Sequence, residues 1–75
     1  MKAAKVFYRK AIQINPKDAG LHYNLGLVFH NLGDFEMAKD SYKQAIQINP
    51  KDADAYNNMG IVNNKQGNFE AAVTE

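Results

Sequence analysis

The chain lacks cysteine and tryptophan altogether, holds only two prolines, and carries no real excess of either charge. Without cysteine there is neither a disulfide framework nor a thiolate metal site, and the redox compartment stays open. Nine basic residues against eight acidic ones leave a formal net charge of +1, with no block of like charge. A nucleic-acid footprint or a membrane-surface helix needs such a block, so neither nucleic acid nor a membrane is an expected partner. Long apolar runs are also missing. The basic start, MKAAKVFYRKAIQINP, is interrupted by charges every few positions, which is not the pattern of a signal peptide or a membrane span. Seventy-five residues make one small domain, close to the size at which a single hydrophobic core is marginal.

What the chain does have is repetition. The nonapeptide AIQINPKDA occupies residues 11–19 and returns unchanged at 45–53, an offset of 34. Sliding the sequence against itself by 34 also places Ala4 on Ala38, Tyr8 on Tyr42, Asn24 on Asn58, Gly26 on Gly60, Val28 on Val62, Gly33 on Gly67 and Phe35 on Phe69. A fixed period of this length is the signature of stacked supersecondary units.

Apolar spacing predicts a helix over residues 2–14, stopped at Asn15-Pro16, because proline cannot continue the backbone ladder and restricts the residue before it. Asp18 is placed to cap a second helix over 19–31, with Leu21, Leu25, Val28, Phe29 and Leu32 on one side. Gly26 sits in mid-helix, where glycine costs about 1 kcal/mol relative to alanine. Its repetition at Gly60 predicts a close approach of a neighbouring helix at both places. Gly33 supplies a left-handed C-cap and Asp34 the next N-cap. A third helix over 35–48 buries Phe35, Ala38, Tyr42, Ala45 and Ile46 and stops at Asn49-Pro50. A fourth, over 53–65, turns Tyr56, Met59, Gly60 and Val62 inward. Gln66-Gly67-Asn68 is expected to turn and launch a short helical stub from Phe69 to Val73. The alternative is that this turn opens and the fourth helix continues into the stub, since Gly67 disfavours a continuous helix by only about 1 kcal/mol, with Phe69 buried in a second chain as a closed dimer.

This 34-residue helix–turn–helix unit, with small residues at the crossings, resembles the tetratricopeptide repeat. Leu25-Gly26 falls on that family's Leu-Gly pair, Phe29 on an aromatic position, Gly33 on the turn glycine, Ala38 and Ala45 on the small positions, Tyr42 on the second aromatic and Pro50 on the closing proline. Met59-Gly60, Gly67, Phe69 and Ala72 match in the next unit. Two positions depart: His22 stands where the family often has tryptophan, and Asn63 stands where Phe29 predicts an aromatic. The resemblance implies an all-α solenoid of antiparallel helix pairs, a right-handed superhelix of about two repeats. Residues 1–18 then form a second helix without its first, 19–52 one whole unit, and 53–75 a first helix with half a second. With no polar capping helix, the chain reads as a piece of a longer array or a minimal stack, and both ends are expected to expose apolar surface and to self-associate.

The resemblance also implies a function: a protein-interaction scaffold that binds a peptide or partner protein on the concave face of the first helices. Carried over position by position, that face is Gly20, Tyr23, Asn24, Leu27, His30 and Asn31, then Asp54, Asn57, Asn58, Ile61, Asn64 and Lys65. Residues three and four apart share a helix face, so each set forms a stripe. Asn24 and Asn58 each offer a donor and an acceptor to a peptide backbone, while Tyr23, Leu27 and Ile61 offer apolar contact. Asparagine at this position resembles the ladder in the repeat arm of O-linked N-acetylglucosamine transferases, so a substrate-selecting arm of such an enzyme is the alternative. A clamp for acidic chaperone tails is disfavoured, since the stripe holds only Lys65 as a cation. His22 and His30 lie about 80° apart around a helix and have no third ligand nearby, so packing is the better reading and no metal is expected. Asp34, Glu36, Asp40, Asp52 and Asp54 read as helix-end charges. No nucleophile, phosphate loop or cofactor motif is present, and the chain is not expected to be an enzyme.

Overall fold

A computed structural model describes the backbone of residues 2–74 and the side chains of residues 3–67. Four helices follow in order: α1 (Lys2–Ile14), α2 (Ala19–Asn31), α3 (Phe35–Ile48) and α4 (Ala53–Thr74). No strand occurs among the described residues. Each helix packs on the next, α1 on α2, α2 on α3 and α3 on α4, in the all-α solenoid arrangement that the period predicts.

Local chemistry sets the boundaries. At the start of α2, the Asp18 carboxylate accepts from the Gly20 N–H at 3.0 Å; at α3, Asp34 accepts from Met37 N–H at 3.4 Å; at α4, Asp52 accepts from Ala55 N–H at 3.1 Å. Each satisfies an amide that the helix itself cannot. Between α2 and α3, Gly33 adopts φ +80°, the left-handed conformation expected of it, and the Asp34 N–H reaches back to the Phe29 carbonyl at 2.9 Å.

The core gathers Leu25 and Phe29 from α2, Ala38 and Tyr42 from α3, and Val62 from α4, with Tyr8 and Ile12 of α1 packed partly against it. Its tightest point is the crossing of α2 and α3. A Cβ built on Gly26 would lie 2.6 Å from Tyr42 Cε1, so the glycine is required by the phenol ring that occupies that space. Tyr42, Ala38 and Ala45 are completely buried. On the far side of α2, the Arg9 guanidinium lies 5.6 Å from the centre of the Phe29 ring, a cation–π contact with α1.

Several expectations are corrected. The turn at residues 66–68 does not form, and α4 runs without a break to Thr74. Gln66 is helical and its amide donates to Glu36 of α3 at 2.6 Å. The equivalent turn at Gly33 is held open by the docking of α3 through Ala38, Tyr42 and Ala45. Of these only Ala38 has a counterpart after Gly67, Ala72, and a return helix of so few residues cannot stabilise itself. Continuing the helix across Gly67 costs about 1 kcal/mol in propensity but retains its backbone hydrogen bonds. As a result a Cβ built on Gly60 would meet no other element within 4 Å among the described residues, unlike one on Gly26. Tyr56 is 53% exposed rather than inward, Leu32 is exposed, and Ala55 and Ser41 take buried places that hydrophobic spacing did not assign. On α1, Phe7 is 65% exposed, as an uncovered flank requires. The expected stub residues Phe69 and Val73 lie outside the described side chains.

The two equivalent glycines give a paired prediction. Gly26→Ala should lower the melting temperature, because overpacking against the Tyr42 ring costs about 1–3 kcal/mol and exceeds the gain in helix propensity. Gly60→Ala should raise it, with roughly 1 kcal/mol of propensity gained and nothing to clash with. Thermal melts followed by circular dichroism check both signs.

Candidate peptide-binding face

The stripe residues come from α2 and α4, the two helices that each follow an Asn-Pro-Lys-Asp turn. The structure ties them directly. The Asn58 side-chain amide donates to the Tyr23 hydroxyl at 2.6 Å, bridging α2 and α4. Tyr23 in turn packs on Tyr42, with ring centroids 5.8 Å apart and planes tilted by 46°. The face is therefore anchored to the Gly26 crossing through a hydrogen bond and then an aromatic contact. Tyr23 has Asn57 as its repeat counterpart, so a bond between positions 35 apart falls outside the repeat symmetry.

Across the face, Tyr23, Asn24, Leu27, His30 and Asn58 are half-buried, whereas Asn31, Asn57, Ile61, Asn64 and Lys65 are exposed. Asn58 has committed a donor to Tyr23 and keeps its carbonyl oxygen for another partner. His30 is less open than its stripe position implies: its ring packs against Phe35 at 6.2 Å, and Nε2 is buried without a partner among the described residues. Burial, helped by the nearby Lys65 ammonium, holds its pKa below the ordinary histidine value. His30 thus presents a neutral ring, and Lys65 is the cation of the stripe. His22 turns elsewhere, with Nε2 3.0 Å from the Pro16 carbonyl, where it braces the turn into α2.

The remaining polar groups serve the scaffold. Glu36 accepts from Gln66 and pairs with Lys39 Nζ at 3.3 Å; these two contacts, Gln66 first, hold its carboxyl below the usual glutamate value. A shallow depression of about 400 Å³ lies at the α1–α2 turn, lined by Ile14, Asn15, Pro16, Lys17 and Asp18. All five are exposed and contiguous in sequence, so the depression is the surface of the turn and has no walls from a second element. The stripe is an open surface of amides, aliphatic carbons and one phenol, a composition suited to an extended peptide.

Sequence profiles described as Tetratricopeptide repeat match residues 19–52 and 41–74, and one described as TPR repeat matches residues 3–33. The chain belongs to the tetratricopeptide repeat family. No curated protein sequence matches it as a relative. Tetratricopeptide repeats mediate protein–protein interaction and are typically non-catalytic. The helix pair of a tetratricopeptide repeat is α2 with α3 here, closed at Gly26 and Tyr42.

Two measurements test the aromatic anchor. Tyr23→Phe removes the bond to Asn58 and should lower stability by about 0.5–1.5 kcal/mol in denaturant titration. Burial, with a smaller effect from Tyr23, raises the Tyr42 phenol to about 12 from 10.0. The folded state therefore favours the neutral phenol. Its contribution is complete below pH 10, where the unfolded phenol begins to ionise, and is lost as pH rises toward 12. Tyr42→Phe, which also removes a buried hydroxyl without a partner among the described residues, should match or exceed the parent melting temperature at neutral pH and lose less of it between pH 10 and 12.

Proposed function

We propose that this tetratricopeptide repeat chain binds an extended peptide, or an exposed segment of a partner protein, along the stripe formed by α2 and α4. The observation that carries this reading is the Asn58–Tyr23 bond, which fixes the two helices side by side and leaves the Asn58 carbonyl oxygen as an acceptor for a peptide N–H. Asn24 adds an equivalent amide from α2. Leu27 and Ile61, at matched places in the repeat, provide apolar contact for alternate side chains, with Tyr23 beside them. Asn57, Asn64 and Asn31 form a polar border. His30 shapes the floor, and Lys65 at one end favours a ligand carrying negative charge there. In this reading 19–52 is a complete repeat, with 1–18 and 53–75 as partial ones.

A library of random extended peptides displayed on phage supplies the probe. Selected peptides, titrated into isotope-labelled chain, should shift the amide resonances of Asn24, Leu27, Asn57, Asn58 and Ile61. Replacing Asn24 and Asn58 together by alanine should weaken binding by about 0.5–1.5 kcal/mol for each hydrogen bond lost. Shifts confined to exposed α3 residues such as Met37 or Gln44, or unchanged affinity in the double variant, would remove this assignment.

A further inference from the structure

The chain carries both halves of one unmade contact. On α4, Gly60 is exposed where Gly26 is buried, Met59 is half-buried where Leu25 is 7% exposed, and among the described residues nothing from another element lies within 4 Å of a Cβ built on Gly60. This is the notch that Tyr42 fills on α2, left open because α4 runs straight past Gly67. On α1, Ala4, Tyr8 and Ala11 are each half-buried, while their counterparts Ala38, Tyr42 and Ala45 are completely buried. Their cover is incomplete for one reason. α3 is packed between α2 and α4, whereas α1 has only α2.

We propose that α1 of a second copy docks on α4, with its Tyr8 seated at Gly60 as Tyr42 is seated at Gly26. The occupant is identified by the chain itself. α1 matches α3 at three of its four buried positions, Ala4 for Ala38, Tyr8 for Tyr42 and Ala11 for Ala45, with Phe7 in place of Ser41, and both run into the same nonapeptide. The new contact continues the succession α1, α2, α3, α4 with another α1. Overall charge favours the encounter as well. α1 holds Lys2, Lys5, Arg9 and Lys10 with no acid, which leaves five basic against eight acidic residues in the rest of the chain. Screening by salt therefore weakens the association.

The contact is head-to-tail, so each added copy leaves a new notch and a new α1 free, and the assembly stays open-ended. Asn63 moderates it. It stands where Phe29 closes the α2–α3 pair, and an amide there replaces an aromatic contact with a polar group that must be desolvated. The association is thus weak and set by concentration. It uses the face of α4 that carries Gly60 and Asn63.

Sedimentation equilibrium of the 75-residue chain from micromolar to millimolar concentration should show a mass average that rises without a plateau at the dimer, less steeply in high salt. Gly60→Leu fills open space, so helicity and melting should hold or improve while the chain stays monomeric throughout. Asn63→Phe should tighten association by about tenfold, and adding Gly60→Leu to it should abolish the gain. The chain has no native thiol, so mixing one Tyr8→Cys sample with one Gly60→Cys sample under mild oxidation should give the mixed disulfide dimer in preference to either homodimer. A parent chain that is monomeric at every concentration, Gly60→Leu associating as the parent does, or cross-linking only of each variant with itself would overturn the proposal.

Discussion

The structure depends on one ring and one missing methyl group. Tyr42 lies where a side chain on residue 26 would be, and glycine there lets two helices approach to the distance at which a phenol ring is completely enclosed. Leu25, Phe29, Ala38 and Val62 close around that contact. The face above it follows too, since Tyr23 rests on Tyr42 and holds Asn58 through its hydroxyl. A conformational cost at one backbone position is offset by enclosure of a large side chain, and the positions of α2, α3 and α4 are consequences of that exchange.

Much of this was legible in the residues because repetition makes local chemistry unambiguous. Asn-Pro stops, aspartate caps and the left-handed Gly33 each act over a few residues, and each stands where its type predicts. Gly26 was readable as a packing glycine for the same reason. What the repeat concealed was its own interruption. Gly33 and Gly67 sit in equivalent tripeptides, yet one turns and the other continues a helix. The choice lies with the docking residues that follow, which period alone does not weigh. Gly60, Tyr56 and Ala55 then depart from their counterparts because burial belongs to neighbours rather than to sequence position.

The candidate face was legible as a set of positions and less so as chemistry. Asn24, Asn58, Leu27 and Ile61 fall on one stripe by helical geometry. The withdrawal of His30 against Phe35 and the engagement of Asn58 with Tyr23 depend on contacts between helices, and the residues in each pair are not repeat counterparts. An asparagine that reads as two free hydrogen-bonding groups is, in the folded chain, one group already spent on the scaffold.

The Asn58–Tyr23 bond also has a mechanical meaning. It spans two helices that otherwise meet through α3, and it is short at 2.6 Å. Spreading α2 from α4 by only about 1 Å carries the pair beyond hydrogen-bond range. Small bending of the stack is therefore resisted by a stiff strut, and larger bending, once the strut has parted, is resisted only by the softer sliding of packed side chains. Resistance to the first opening of the face therefore rests on a single phenol hydroxyl.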